Sequence, residues 1–254
     1  MVSAAPPATA TPKTTEIVLT FGGDVCLQRS GWLPYVDGVG TAARRVPWSS
    51  HTAHIAPLLK GAEINFGNLE AVVTDRTDLS AQGKKYTFQM HVGGLSHLTD
   101  IGLNLWSLAN NHAYDFGAQG AKETFKHLKA FRKRGVHSAG LGLNDKGTLE
   151  ADVFEVKGKR IAFVAVGIIS NMNKRHRAGP NKPGTLRFRD DKDYTRVLRA
   201  FEKVRADYKI LSIHSGRERE VALRRGQRTR YHRALREAGV DLIGGAPNFD
   251  LDPA

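Results

Sequence analysis

The chain has 254 residues and a formal net charge of +13, because 38 lysines and arginines outnumber 25 acidic residues. Hydrophobic residues make up 41% of it, enough for a full core, and no apolar run approaches the roughly 18 residues that span a bilayer. The one cysteine excludes an intrachain disulfide framework. This composition predicts a soluble globular protein. Its positive charge either serves solubility alone or indicates an anionic partner: a phosphate ester, a nucleic acid, a polyanionic polymer or a cell surface.

The N-terminal segment 1–15 is rich in Ala, Pro and Thr and lacks the basic-then-apolar pattern of a signal peptide. We therefore predict a flexible lead-in at 1–15, followed by a single domain at 16–254. In an alternative interpretation, 1–15 is the mature end of an exported or cell-surface-associated protein whose signal has been removed. The sequence leaves the compartment and the oligomeric state open.

From residue 16 onward, short apolar runs alternate with helical patterns, which predicts an α/β fold. In chain order, the first half predicts a strand at 17–21, a helix at 54–59, a strand at 63–66, a helix at 95–101, a strand at 103–108 and a helix at 118–134. The second half predicts a hairpin of strands 153–156 and 160–166, an irregular loop at 170–187, a helix at 194–204, a strand at 209–213, a basic helix at 221–238 and a strand at 240–243.

Five of the predicted strands end in small or polar residues. These residues are Asp24, Asn68 with Glu70, Asn111 with His112, His214, and Asn248. Since open α/β sheets bind ligands at the carboxyl ends of their strands, we expect these side chains to share one edge and to form one site.

The side chains at these strand ends are suited to divalent metal ions. Carboxylate and amide oxygens and imidazole nitrogens are ligands for Mn, Fe, Zn or Mg, so one or two such ions are the predicted cofactor. With two ions, Glu70 would bridge them and Asp24 would hold one. Asn111 and His214 would hold the other, with Asn248 as a further oxygen donor.

Two further residues of the same segment suggest acid catalysis. His112, beside Asn111, could protonate a leaving oxygen, and Asp115, three residues later, could orient that imidazole. Taken singly, each of these residues is better explained as a turn former, a helix cap or a structural histidine. A shared site is still favoured, because the structural explanation requires a separate coincidence at every strand end. Phosphate-binding loops, dinucleotide fingerprints and nucleophile elbows are absent from the sequence.

The order of these segments resembles the poly-gamma-glutamate capsule-synthesis (CapA-type) family, which belongs to the calcineurin-like metallophosphoesterase superfamily. The segments that carry the resemblance are Gly23-Asp24-Val25, Asn68-Leu69-Glu70, Ala109-Asn110-Asn111-His112 with Asp115 and Gly117, His214-x-Gly216 with Glu218, and residues 238–244. The resemblance covers about 16–248. It implies an αββα sandwich with two metal ions at the loop edge, and it implies the same metal-binding and acid roles for the residues above.

The chain departs from the family pattern after its last predicted strand. Where family members carry a Gly-His-x-Pro-His segment that completes both metal sites, this chain has Gly244-Gly245-Ala246-Pro247-Asn248. Both imidazoles are missing, and His176 in the basic loop is a candidate substitute, with an exposed loop residue as the favoured alternative. Family members also continue beyond the equivalent of Ala254, so we expect a sandwich that lacks its last strands or a short variant of the family.

Two functions follow from this combination of features. The first is a metal-dependent hydrolase of a phosphoester or an anionic polymer, linked to capsule-type biosynthesis in bacteria. Its predicted substrate-binding residues are Asn68, Lys174, Arg175, Arg177 and Glu218. The second is a weakened or non-catalytic member of the family that binds an anionic polymer in a basic cleft. Nucleic-acid binding is disfavoured, because no basic segment interleaved with aromatics is present.

Overall fold

The structure is a computed structural model that describes residues 16–27, 33–41, 43–167, 176–188, 190–215, 225–237 and 239–247. The strands are β1 (Leu19–Val25), β2 (Leu33–Pro34), β3 (Gly38–Gly40), β4 (Arg45–Pro47), β5 (Ile64–Leu69), β6 (Val72–Val73), β7 (Gln89–Met90), β8 (Leu105–Ser107), β9 (His137–Ala139), β10 (Leu141–Gly142), β11 (Asp152–Val156), β12 (Lys159–Gly167), β13 (Gly184–Thr185), β14 (Tyr208–Ser215) and β15 (Leu242–Pro247). The helices are α1 (Trp48–Thr52), α2 (Val92–Asp100), α3 (Gly117–Phe131), α4 (Asp145–Leu149), α5 (Asp191–Glu202) and α6 (Arg225–Glu237), with short 3-10 helices at Ala56–Leu59 and Arg132–Arg134.

The first sheet is parallel and has the strand order β1-β5-β8-β9. Strand β1 continues past its predicted end at Phe21 as far as Val25. Its register against β5 shifts between Phe21 and Asp24, across two glycines. This irregularity brings Asp24 level with Asn68 on β5. The first and second predicted polar strand ends are therefore already neighbours within one sheet.

The second sheet has the order β11-β12-β14-β15, with β12, β14 and β15 parallel to one another. Strands β11 and β12 form the predicted antiparallel hairpin. Its turn residues, Lys157 and Gly158, both have positive φ angles, 48° and 75°. Two positive φ values at the centre of a two-residue loop characterise a type I′ turn, whose twist matches that of the flanking strands. The hairpin prediction is confirmed.

The two sheets pack face to face, and the side-chain alternation of β12 shows how. Ile161, Phe163 and Ala165 lie in a core shared with Ile64 and Phe66 of the first sheet. The intervening residues of β12 face a second core that includes residues of α5. A third core packs the outer face of the first sheet against α2 and α3. Since alternate residues of a strand point to opposite faces, this arrangement is an αββα sandwich, and the predicted fold class is confirmed.

Two predicted elements differ from the observed ones. The helix predicted at 54–59 is a 3-10 helix at Ala56–Leu59, preceded by the short helix α1. The loop predicted at 170–187 contains strand β13, which pairs with β10, and Ala178 donates its backbone N–H to the oxygen of Thr185. Its Gly and Pro residues therefore shape a short paired segment rather than an irregular one. No helix among the described residues is long and apolar enough to cross a membrane.

Candidate metal centre

Four predicted site residues meet at the carboxyl ends of strands from both sheets. Asp24 and Asn68 are register partners near the ends of β1 and β5, and Glu70 follows β5 directly. His214 lies near the end of β14, and β1 contacts β15, so the two sheets present these ends at the same edge of the sandwich. The shared edge expected from the strand pattern is thus present in the structure.

The imidazole of His214 lies at the centre of the cluster and is fully buried. Its Nδ1 is 3.5 Å from Asp24 Oδ1, and its Nε2 is 3.4 Å from Glu70 Oε1. The Nε2 atom is also 2.9 Å from Asn111 Oδ1. Potential ligand atoms of Asp24, Glu70 and His214 all lie within 4.8 Å of one another. The side chains of two loops and two strands therefore converge on a space the size of a small ion cluster.

A chain of amides holds this cluster in place. Asn68 donates from Nδ2 to Asp24 Oδ1 at 2.7 Å and lies 3.1 Å from His214 Nδ1. Asn110 in turn donates to Asn68 Oδ1 at 3.2 Å and to the backbone oxygen of Leu69 at 2.7 Å. Asn110 was not among the predicted site residues, although it lies inside the matching motif. Asn68 contacts the side chains of Asp24 and His214, and its predicted contact with substrate stays a prediction.

The cluster has the electrostatics of a cation site. Glu70 Oε1 is buried and has no hydrogen-bond donor among the described residues. Burial lowers the pKa of His214, but the carboxylates of Asp24 and Glu70 outweigh it and raise that pKa to about 9. A neutral imidazole between two carboxylates would leave their charge uncompensated, so this site favours a positive charge. The donor set of carboxylates, imidazole and amide oxygen fits a divalent ion such as Mn, Fe, Zn or Mg.

A second group of residues orients His112 beside the cluster. Asp115 is fully buried, and its Oδ2 is 2.6 Å from His112 Nδ1. The backbone N–H of Phe88 donates to the same oxygen at 2.7 Å, and the Phe88 ring stacks on the imidazole with centroids 3.9 Å apart. Lys84 pairs with Asp115 Oδ1 and donates to the backbone oxygen of Asn111 at 2.9 Å. The sequence interpretation missed Lys84 and Phe88, because their loop shows no pattern that points to the site.

His176 is buried rather than exposed, with only 5% of its surface accessible, so the favoured alternative of an exposed loop residue is wrong. His176 is buried because its backbone pairs with strand β13, where Thr185 donates its N–H to the oxygen of His176 at 2.7 Å. Its ring lies 5.4 Å from that of Tyr114. Burial, reinforced by the charge of Lys84, lowers the pKa of His176 to about 4, so the ring is neutral near pH 7. Its predicted role as a substitute ligand stays a prediction.

The remaining predicted residues fall into two groups. Lys174, Arg175, Glu218 and Asn248 lie outside the described residues. Arg177 is described, and its guanidinium is 3.3 Å from Asp193 Oδ1, on α5. Because Asp193 is almost completely buried and also pairs with Arg187 at 2.8 Å, this contact is part of the packing of α5. Residues 244–247, where the resemblance leads one to expect a histidine, lie in β15, and Ala246 is the register partner of His214.

The structure is thus an αββα sandwich that brings carboxylate, imidazole and amide groups together at the ends of its strands. Residues 18–247 match the family described as "Bacterial capsule synthesis protein PGA_cap", and the chain belongs to this family. The recognition from sequence is therefore confirmed.

Several curated proteins are similar to this chain. The "PGA biosynthesis protein CapA" of Bacillus subtilis (strain 168) is 26% identical over 92% of this chain and 58% of its own length. The "Capsule biosynthesis protein CapA" of Bacillus anthracis is 26% identical over 76% of this chain and 46% of its own length. A "Probable polyglutamine synthesis accessory protein" of Mycobacterium tuberculosis is 27% identical over 79% of this chain and 53% of its own length. The chain thus spans about half the length of these relatives.

Proposed function

We propose that the protein is a metal-dependent hydrolase that cleaves a phosphoester or a bond in an anionic polymer, as part of capsule-type biosynthesis. The observation that carries the proposal is the buried Glu70 Oε1, which has no hydrogen-bond partner within the described part of the chain and lies 3.4 Å from His214 Nε2. An unsatisfied buried carboxylate oxygen costs free energy unless a cation compensates it. The names of the relatives, which refer to PGA and capsule biosynthesis, support the biological setting.

The residues of the metal centre would hold the ion and position the substrate. Asp24, Glu70, Asn111 and His214 would be the ligands, with Asn68 fixing Asp24 and His214 relative to each other. A divalent ion held by these residues would supply Lewis-acid chemistry, polarising a substrate oxygen and making the adjoining phosphorus or carbonyl carbon more electrophilic. Because this charge acts in a buried site, where water screens it poorly, its effect on an anionic transition state is large.

His112 would act as the general acid. In the imidazolium form, Nδ1–H donates to Asp115 Oδ2, which leaves the Nε2 proton for transfer to the leaving oxygen. After the transfer the imidazole is neutral, and its remaining proton stays on Nδ1. Lys84 balances the charge of the buried Asp115, and the Phe88 ring restricts rotation of the imidazole. Asp115, Lys84 and Phe88 therefore act as positioning residues.

Elemental analysis is the first test of this proposal. Protein purified without chelators is expected to carry at least one equivalent of Mn, Fe, Zn or Mg, and Asp24→Asn is expected to lower the metal content by about one equivalent. Loaded with Mn, the wild type should hydrolyse an aryl phosphate mono- or diester. Glu202→Gln, which changes an exposed carboxylate on α5, is the matched control and should behave like the wild type. No turnover with any of the four metals would reject the hydrolase.

The second candidate function is binding of an anionic polymer without turnover. It is favoured by the end of the last predicted strand, where Gly245 and Asn248 stand in place of two imidazoles of the family pattern. Fewer ligands weaken metal binding and could leave a cleft that only holds its ligand. The net charge of +13 supports a polyanionic partner under either function.

Polymer binding can be tested at the basic loop. The double substitution Lys174→Gln and Arg175→Gln is expected to weaken binding of polyglutamate at least ~10-fold at low salt, with a smaller difference at high salt because ions screen the attraction. Arg177 should be kept, because its pairing with the buried Asp193 makes its removal a structural change. Lys203→Gln, at the exposed end of α5, removes one charge elsewhere and serves as a control. Equal affinity of wild type and double variant would exclude a binding role for this loop.

A further inference from the structure

A second group of potential ligands lies outside the metal centre, at the base of the loop that orients His112. It consists of Asp75, which follows β6, and of Glu123 and His127 on α3, and their ligand atoms lie within 4.8 Å of one another. Glu123 and His127 are four residues apart, so they lie one above the other on the same face of the helix. We propose that this group is a second metal site, specific for a divalent transition-metal ion such as Zn²⁺, that clamps the loop to α3.

The strongest observation is the state of His127. The residue is 9% exposed, and its Nε2 is buried without a hydrogen-bond partner among the described residues. This nitrogen points at Glu123 Oε2, 3.5 Å away, and at Asp75 Oδ1, 3.7 Å away. Both distances exceed the usual range of about 2.7–3.2 Å for N–H···O hydrogen bonds. A buried polar atom that faces two carboxylates without bonding to either is unexplained by the protein alone.

These distances fit a shared ion better than they fit hydrogen bonds. Two ligand atoms bound to one tetrahedral Zn²⁺ at about 2.0–2.1 Å are separated by roughly 3.4 Å. The observed separations, 3.5 Å to Glu123 and 3.7 Å to Asp75, are close to that value. One imidazole with two carboxylates is also a donor set that suits Zn²⁺ or its neighbours in the first transition row, rather than Ca²⁺. The side chain of Asp75 is 51% exposed, which leaves an entry path and room for a water ligand.

The neighbouring charged groups do not compete strongly for this position. Arg76 directs its two side-chain hydrogen bonds to Asp78, at 2.8 and 2.7 Å, and pairs with that carboxylate rather than with Asp75 or Glu123. Lys126 is 3.3 Å from Glu123 Oε2, but its side chain is 62% exposed and can release that contact at little cost. His91 accepts a hydrogen bond at Nδ1 from Gly93 N–H, which places its proton on Nε2 and removes it as a ligand.

The position of the site suggests what the ion does. Strands β6 and β7 pair with each other, so they bring the two ends of the loop 74–88 together, and Val73 N–H donates to Thr124 on α3 at 3.0 Å. This loop carries Lys84 and Phe88, which hold Asp115 and His112 in place. An ion bound by Asp75 and by α3 would fasten the loop at its base. The second site would therefore act on stability and on the positioning of His112, without contacting substrate.

Zinc binding to the metal-stripped chain tests the proposal, with calorimetry and thermal unfolding as the two measurements. The Glu70→Gln variant, disabled at the first site, is expected to retain one equivalent of bound Zn²⁺ and a melting temperature that rises by about 5 °C at saturation. Adding Glu123→Gln should weaken this binding at least ~10-fold and abolish the rise. Adding Glu202→Gln instead should change neither measurement.

The same titrations can also contradict the proposed second metal site. If the Glu70→Gln protein and the Glu70→Gln/Glu123→Gln protein bind the same number of zinc equivalents with equal affinity, the second site does not exist. Asp75→Asn provides an independent check, since its half-exposed side chain can be changed without disturbing the core. Absence of metal at the first site would reject the proposed hydrolase but would leave the Glu123-dependent equivalent measurable.

Discussion

Alanine in place of His112 is expected to slow hydrolysis of an aryl phosphate by about 10²–10⁴-fold and to leave the metal content of the protein unchanged. The reason is geometric, since the ligand atoms grouped around His214 come from Asp24 and Glu70, whereas His112 is held by Asp115 at 2.6 Å. Removing the imidazole should therefore remove the proton donor without dismantling the metal centre. Steady-state kinetics and elemental analysis on the same preparation measure the two quantities.

A pH profile separates an acid role for His112 from a structural one. A general acid contributes a basic limb to the profile, which the His112→Ala variant should lack. Asp115→Asn should also slow turnover, because Asp115 Oδ2 orients the imidazole through its 2.6 Å contact with His112 Nδ1. His54→Ala, which removes an exposed imidazole that takes no part in the described contacts of the site, should keep both the rate and the profile. If His112→Ala loses activity only together with its metal, the acid role is refuted.

Strand-end reasoning predicted from the sequence which residues meet at the candidate metal centre. Asp24, Asn68 and Glu70 lie more than 140 residues from His214, yet they meet because the carboxyl ends of parallel strands share an edge. That rule depends only on recognising buried strands, which their apolar runs made visible. The roles of these side chains as ligands stay predictions, since proximity does not establish binding.

The groups that orient His112 were not predictable in the same way. Lys84 and Phe88 lie in a loop whose sequence has neither a helical nor a strand period, and their contacts with Asp115 arise only when β6 and β7 pair. His176 and Arg177 show a related difficulty. Adjacent in a basic run, they have different surroundings, with one packed against Tyr114 and the other paired with Asp193. The composition of such a segment gives its net charge but does not indicate which of its residues are buried and which partners they contact.

Metal binding and protonation are expected to compete at His214, and this produces a large dependence of stability on pH. The folded-state pKa of His214 is about 9, above the usual histidine pKa of 6.5. In metal-stripped protein, the stability contributed by this group is therefore fully present below about pH 6.5 and is lost as the pH rises through 9. At about 1.36 kcal/mol per pKa unit, the loss amounts to roughly 3 kcal/mol.

Bound metal should remove this loss, because a divalent ion replaces the proton as the positive charge between Asp24 and Glu70. Below pH 9 its binding should release a proton, so the apparent affinity should increase with pH in this range.

Urea unfolding at pH 6.5, 8 and 9.5, with chelator and with saturating Mn²⁺, measures both effects. Glu70→Gln should shrink the pH dependence in chelator, because one of the two carboxylates that raise the pKa of His214 is gone. A metal-free wild type as stable at pH 9.5 as at pH 6.5 would show that His214 does not carry a proton between these carboxylates, and the argument that the site favours a cation would lose its electrostatic basis.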